Sequence, residues 1–372
     1  MRFFFRSILY FIVLIFRKRE YDVIFYYPQH FNRGNKNKNN YFKHLIESCQ
    51  DKGLRFIVFE EPDFSSRFKR NDEAEPFDVI FYFILLLRKL IFLKSYNSRK
   101  DKIIGKILAQ LFFKRIYFKS LVTISQSMVN VFRGMDQDCA IFDLQHGIIH
   151  PNKKNYLENN IPAENLKNNN VNVLFFGKSF QELLIMHDST SFFKDRSFVI
   201  GSHIFESKNY HTSFNHKILV TLQFTHDHTN IENKTLLESL IKIISNSNRK
   251  NLFFLKHHPR FNNDINIDIL LDQDNVILAP SNLKKCFEIC SLHITSYSTC
   301  VFDASLVGIP TLIVNPLKKF DYFKKYFEYN FEYEINDFVD TKFYFKQSIK
   351  VKQWAKSYYN TYNENFFLSL IR

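Results

Sequence analysis

Residues 292–314 read LHITSYSTCVFDASLVGIPTLIV, and the order of residue types in this stretch sets the fold class. The apolar run Leu292–Ile294 predicts a strand, Thr299–Leu306 a helix, and Thr311–Val314 a second strand after the break at Gly308-Ile309-Pro310. Strand, helix and strand in so short a span form a crossover unit of a parallel sheet.

Moving outward, the same alternation continues on both sides. Strands are expected at Ile218–Gln223, Leu252–Leu255 and Val276–Leu278, with helices at Lys234–Ile244 and Leu283–Ile289. The first half repeats the pattern, with strands at Asp22–Tyr27, Arg55–Phe59, Leu121–Ile124, Cys139–Leu144 and Val173–Phe176. Its helices are expected at Tyr41–Lys52, Phe77–Leu93, Lys102–Phe113 and Ser179–Met186. The polar stretch Asn152–Asn172 reads as a loop or short helix, and Val351–Leu370 has a helical period. Between the halves the composition turns polar and irregular over Ser202–His216, where a linker is expected. A chain of 372 residues holds two ordinary domains. The fold class is therefore α/β, two Rossmann-like domains facing across a cleft. The boundaries are 1–202 for the first domain, 203–216 for the linker, 217–346 for the second domain and 347–372 for a C-terminal helix.

Composition narrows the partners. The net charge of +14 lies mostly in residues 1–120, which carry 24 Lys plus Arg against 12 Asp plus Glu. Phe3–Phe16 is nearly all apolar around Arg6, and Phe77–Leu93 repeats this with Arg88 and Lys89 inside it. Neither is a clean span of about 20 apolar residues, and no small-residue cleavage site follows the first. An interfacial helix backed by Arg17, Lys18, Arg19, Lys114 and Arg115 fits better, each surface cation adding on the order of 1 kcal/mol toward anionic lipid. The alternative is a buried core helix with solvated flanking cations. No basic run with interleaved glycine or other nucleic-acid motif occurs, so nucleic acid is not an expected partner. Cys49, Cys139, Cys286, Cys290 and Cys300 show no zinc-site spacing, and Cys286 and Cys290 read as small core residues. The cysteine usage fits a reduced cytoplasm, and the basic, greasy first third adds a peripheral place on the inner face of the membrane.

Three constellations follow predicted strands, where open parallel sheets bind ligands. The first is Asp143-Leu144-Gln145-His146-Gly147-Ile148-Ile149-His150-Pro151. An imidazole with an unperturbed pKa of about 6.5 can take a hydroxyl proton, so His146 is the candidate general base. Gly147 permits backbone approach by a substrate, and Gln145 and His150 flank the site. The bland reading is a histidine satisfied within a tight turn. The second is Lys256-His257-His258-Pro259-Arg260, in which the cations and an imidazole suit a phosphate; an ordinary basic loop is the alternative. The third is the turn Thr295-Ser296-Tyr297-Ser298-Thr299, where hydroxyls and free backbone N–H groups favour an anion, or simply cap a helix. His226-Asp227-His228 reads as a polar loop over the phosphate in preference to a cation site.

Taken together, these motifs resemble the GT-B glycosyltransferases of bacterial surface carbohydrate synthesis over roughly residues 120–316. His258-Pro259 looks like the His-Pro motif of bacterial sialyltransferases, polysialyltransferases and capsular Kdo transferases, and Ser298-Thr299 like their Ser/Thr pair. The resemblance implies that the first contacts a cytidine nucleotide and the second its phosphate. Gln145-His146-Gly147 departs from the acidic motif of many sialyltransferases and is similar to the His-Gly turn of the CDP-glycerol phosphotransferases that build teichoic acid, where the histidine is the base. Val173–Lys178 through Val199–Gly201 resembles the end of these enzymes' N-terminal domain.

The expected activity is transfer of a sugar from a nucleotide-activated donor, a CMP-sugar first, to a hydroxyl of a capsule, O-antigen or lipopolysaccharide acceptor. The acceptor, a glycan or glycolipid, enters from the first domain, and the second holds the donor through Lys256, His258, Pro259, Arg260, Ser296, Ser298 and Thr299. The donor is a substrate, so no cofactor is called for, and no Asp-x-Asp pair at a strand end asks for a metal. The rivals are a CDP-polyol phosphotransferase, a nucleotide-sugar epimerase and a non-catalytic scaffold.

Overall fold

The computed structural model describes residues 2–16, 18–34, 37–64, 68–91, 97–203, 210–259, 261, 265–331 and 333–372. It divides into two compact units, residues 1–201 with 361–372, and residues 202–360. Each is built on an all-parallel sheet.

The first unit starts with helix α1 (Arg2–Phe16), strand β1 (Arg19–Pro28), α2 (Lys43–Asp51), β2 (Phe56–Glu61), β3 (Glu75–Pro76) and α3 (Asp78–Leu90). Then come α4 (Asn97–Leu111), β4 (Ile116–Thr123), α5 (Val129–Met135), β5 (Ala140–Leu144) and a two-stranded excursion, β6 (Leu157–Glu158) with β7 (Ile161–Pro162). It continues through α6 (Glu164–Lys167), β8 (Asn172–Phe175), α7 (Lys178–His187), α8 (Phe192–Arg196) and β9 (Ser197–Val199). The sheet order is β3-β2-β1-β4-β5-β8-β9, with every pairing parallel. β1 is central and covered on both faces, so Val23 to Tyr27 form an unbroken apolar run with no exposure. Beside it Phe11, Phe59, Phe77 and Phe113 pack ring against ring, each buried ring contributing roughly 2–3 kcal/mol.

Two of the chain's eight glycines let α4 and α5 touch backbone to backbone. A Cβ at Gly105 would lie 2.1 Å from the Val131 carbonyl oxygen, and one at Gly134 would lie 2.1 Å from that of Lys102. α5 was absent from the expected elements because its seven residues include this glycine and too few apolar positions to show a period.

The second unit runs β10 (Lys217–Thr221), α9 (Asn230–Ser245), β11 (Leu252–Lys256), α10 (Asp268–Leu271), β12 (Val276–Leu278), α11 (Leu283–Ile289), β13 (Leu292–Thr295), α12 (Cys300–Leu306), β14 (Thr311–Ile313), α13 (Tyr322–Phe327) and α14 (Thr341–Tyr358). Its order, β12-β11-β10-β13-β14, is again parallel throughout. Cys286 and Cys290 sit in the core beside Leu219, Phe287 and Ala304. α14 closes the unit, Trp354 stacking on Phe302 with centroids 4.9 Å apart.

The C-terminal helix expected over 347–372 is two helices. α14 begins at Thr341, where Asp340 caps the backbone N–H groups of Lys342 and Phe343, and ends at Tyr358; α15 (Glu364–Ile371) is capped anew by Asn363. α15 belongs to the first unit, while the second unit reaches from Ser202 to Asn360, beyond the expected 217–346. Gly201 fixes that return: its φ of +81° suits glycine, and a Cβ would meet the Thr361 carbonyl oxygen at 2.2 Å. Within the expected linker, residues 204–209 lie outside the described residues. Asn152–Asn172 holds β6, β7 and α6 where a loop or short helix was expected.

Candidate active site

In an open parallel sheet the order of strands reverses at one crevice, and ligands bind outside the carboxyl ends of the strands there. In the first unit that point lies between β1 and β4, and in the second between β10 and β13.

His146 follows β5 at the carboxyl edge of the first sheet. The turn that holds it is braced by Gln145, whose amide donates to the Gly147 carbonyl (3.0 Å) and whose side-chain oxygen accepts from Phe176 N–H (3.0 Å). Lys153 donates to the Ile148 carbonyl (2.9 Å), and the Tyr41 hydroxyl donates to the His146 carbonyl (3.1 Å). Phe31 meets the imidazole edge to face at 5.2 Å. Burial, with the Lys153 ammonium adding to it, pushes the His146 pKa down to about 4, so the ring is neutral at physiological pH. A backbone hydrogen bond with Leu144 opposes that shift and ties the ring to the end of β5.

Under the turn, Asp143 is fully buried and accepts from the Gln126 amide at 2.7 Å, with Tyr156 beside it. Burial raises its pKa to about 6. Gln145, expected to flank the site, braces the turn through its side chain. A Cβ at Gly147 would meet just the Lys153 ammonium, at 3.9 Å, so the protein's own packing does not require glycine there. His150 accepts from Asn152 N–H at 3.3 Å, and burial lowers its pKa to about 4. At the same edge a cavity of about 460 Å³ is lined by Ser125, Gln126, Ser127, Lys154, Asn155, Ala163 and Asn165, a set of hydroxyls and amides with one ammonium.

Sequence reasoning missed His30, which follows β1. Its Nδ1 lies 2.7 Å from the Asp63 carboxylate, and its ring packs 4.4 Å from Phe31, the residue that contacts His146. A carboxylate that orients an imidazole is a recurrent feature of acid–base sites. The pair is separated by 33 residues and joins only because β1 and β2 are neighbours, so no local pattern announces it.

In the second unit, Lys256 ends β11 but does not project as a free cation: its ammonium donates to the Pro280 (3.0 Å) and Ser281 (2.6 Å) carbonyls. These two bonds tie the end of β11 to the segment after β12. His258 is half-buried, its carbonyl accepting from Phe261 N–H (2.9 Å), and Pro259 is exposed. Arg260 lies outside the described residues. Ser296 and Ser298 are mostly buried, and Ser298 Oγ accepts from Cys300 N–H at 3.2 Å, as a plain cap of α12 would. Thr299 directly precedes α12 and makes no side-chain cap.

His228 lies between β10 and α9, in the run expected to form a polar loop over the phosphate. Its side chain is 5% exposed, and its Nδ1 lies 3.7 Å from the Glu232 carboxylate. It packs edge on against Tyr297 (5.0 Å) and Phe320 (5.9 Å), beside Glu232, which pairs with Lys319. A polar loop was expected here. The buried imidazole is flanked by a residue of the β13 turn, placing His228, Tyr297 and Ser298 together at the switch point.

No protein-family model matches the chain, and no curated protein matches it. Solved structures do. A histidine-to-asparagine variant of the wall teichoic acid polymerase TagF superposes with a TM-score of 0.52 at 11% identity, covering 99% of this chain and 95% of that one. The UDP-GlcNAc 2-epimerase of Methanocaldococcus jannaschii gives 0.51 at 10% identity, covering 95% and 99%. MnaA of S. aureus, solved with UDP, gives 0.50 at 12% identity, covering 95% and 94%. Identities this low speak to architecture, and over nearly its whole length the chain has the GT-B fold of two Rossmann-like domains.

Proposed function

We propose that the chain is a transferase that moves a group from a cytidine-activated donor to a hydroxyl of a cell-surface polymer, with His146 as general base. The observation that carries this reading is the neutral imidazole held in a braced turn at the carboxyl edge of the first sheet. A neutral imidazole has a lone pair for an incoming hydroxyl proton, and a positioned base contributes about 10²–10⁴ in rate. The polar cavity beside Gln126 suits a hydroxyl-rich acceptor. In the second unit the nucleotide and its phosphate fall to Ser298, Thr299 and His258, with His228 added by its placement.

In the first form of the reaction the donor is a CMP-sugar. The acceptor oxygen bonds to the anomeric carbon, its proton passes to the His146 imidazole, and the bond from that carbon to the phosphate oxygen breaks, releasing CMP. The acceptor is then a capsule, O-antigen or lipopolysaccharide glycan. A second form is favoured by the Gln145-His146-Gly147 turn and by the fold likeness to a teichoic acid polymerase. Here a CDP-polyol is the donor, the acceptor oxygen attacks the β-phosphorus, and CMP again leaves.

Incubation with CMP-, CDP- and UDP-linked donors and a polyol or glycan acceptor tests both. Release of CMP that requires acceptor supports the proposal, and phosphorus in the product separates the two forms. Conversion of a UDP-sugar without acceptor would instead make the chain an epimerase, like its fold neighbour from Methanocaldococcus jannaschii.

A further inference from the structure

Helix α1 is apolar on both sides. Ser7, Phe11 and Leu14 form the stripe buried in the first unit, against α3 and β3. A surface helix normally turns polar residues outward on its other face. Here that face carries Phe5, Leu9, Ile12 and Phe16, spaced at i, i+4, i+7 and i+11, with Leu9 66% and Phe16 72% exposed. α3 prolongs the patch with Leu86 and Leu90, also exposed, and the two helices join where Phe4 and Tyr82 meet at 5.6 Å. Two neighbouring helices thus present one apolar surface larger than scattered exposed side chains account for.

Charge says what covers it. α1 contains no carboxylate, and the one in α3, Asp78, is buried against Arg70 in a two-bond ion pair (3.0 and 2.8 Å). Cations stand at the rim: Arg115 donates to the Phe16 carbonyl (2.9 Å) at the end of α1, the adjacent Lys114 is exposed, and Lys89 is exposed in the last turn of α3. The nearest acids are already paired, Asp72 with Arg2, Glu75 with Arg6, and Glu20 with Lys18 and Arg55. An apolar face with a net cationic rim complements the boundary between acyl chains and anionic headgroups. Among the described residues no helix is long and apolar enough to cross a bilayer. The fifteen residues of α1 reach roughly 22 Å, against about 30 Å of hydrocarbon.

We infer that α1 and the outer face of α3 form an in-plane anchor for an anionic lipid surface, with Phe5, Leu9, Ile12 and Phe16 entering the acyl boundary. This inference is independent of the group-transfer reading.

Flotation of the full chain with phosphatidylglycerol–phosphatidylcholine vesicles, without any donor, tests it. Binding at least tenfold tighter than to phosphatidylcholine alone is expected, weakening as salt is raised. The double variant Leu9→Glu/Phe16→Glu should lose at least tenfold in vesicle affinity with its melting temperature unchanged, because both side chains are exposed. Should that variant misfold, Phe5→Trp gives a second readout: vesicles should shift its emission to the blue, and brominated lipid should quench it. Absence of vesicle binding by the unaltered chain overturns the inference. So does a dimer, seen by ultracentrifugation, that Leu9→Glu/Phe16→Glu separates while neither form binds vesicles, since a second copy would then be the cover.

Discussion

At the carboxyl edge of the first sheet, His146 stands in a turn tied down by Gln145, Lys153 and Tyr41, above a buried carboxylate that itself has partners. At the matching edge of the second sheet, His228 packs against two aromatic rings, and its polar neighbour is the Glu232 carboxylate, 3.7 Å from Nδ1. The two edges share strand topology and differ in what supports the imidazole. A group fixed by bonds from several elements is preorganised for a chemical step, in which small displacements are costly. A ring held mainly by aromatic packing, with one carboxylate beyond ideal hydrogen-bond length, has donor or acceptor capacity left for a ligand to fill. On this view the first edge performs the reaction and the second binds.

The largest expected effect tests the first half of that contrast. His146→Ala should reduce turnover by about 10²–10⁴ while nucleotide affinity and melting temperature stay within error. An equal fall in stability would show the ring to be structural. Next in size is Asp143→Ala, which leaves the Gln126 amide without its acceptor in a buried site; a loss of about 2–3 kcal/mol in unfolding free energy is expected from denaturant titration. If the cost is under about 0.5 kcal/mol, the network under His146 is not what holds the turn.

For the second edge, His228→Phe should weaken cytidine nucleotide binding by about tenfold in calorimetry while the melting temperature stays close to that of the unaltered chain, since Phe keeps the packing on Tyr297 and Phe320. Unchanged affinity would return His228 to the core. Lys256→Met marks the lower limit: with its ammonium bound to two carbonyls, it should change nucleotide affinity less than twofold.

The fold was legible where burial on both sheet faces writes continuous apolar runs. Ile218–Gln223, Leu252–Leu255 and Leu292–Ile294 all coincide with strands to within two residues. It was less legible where a cap overrides the period, as at Asp340 and Asn363, which start α14 and α15 and split a single apparent helix. The His146 turn could be read because strand, polar turn and glycine are contiguous. His30 with Asp63, and His228 among its rings, depend on strand neighbours far apart in the chain, and nothing local encodes that adjacency. Lys256 shows the converse: its position after a strand suggested a phosphate ligand, whereas the carbonyls that occupy it come from a loop 24 and 25 residues later.

The smallest expected effect is also the sharpest test of how His146 is held. A folded-state pKa lowered from 6.5 to about 4 means that the neutral form is favoured in the native protein. Its contribution to stability is therefore present above about pH 6.5 and is lost as pH falls through 4. The same logic governs the free enzyme's rate. If His146 is the base, kcat/KM should fall less than twofold between pH 7 and pH 5.5, where an ordinary imidazole of pKa about 6.5 would lose about tenfold. Asp143 works in the opposite sense. Its pKa, raised from 3.8 to about 6, gives stability that is full below 3.8 and lost as pH rises through 6. Asp143→Asn removes this opposing term, so its melting temperature should drop more steeply on acidification from pH 6 to pH 4 than that of the unaltered chain. An acid limb of kcat/KM near pH 6.5 would mean that the proton is taken by a group in a more open setting than His146.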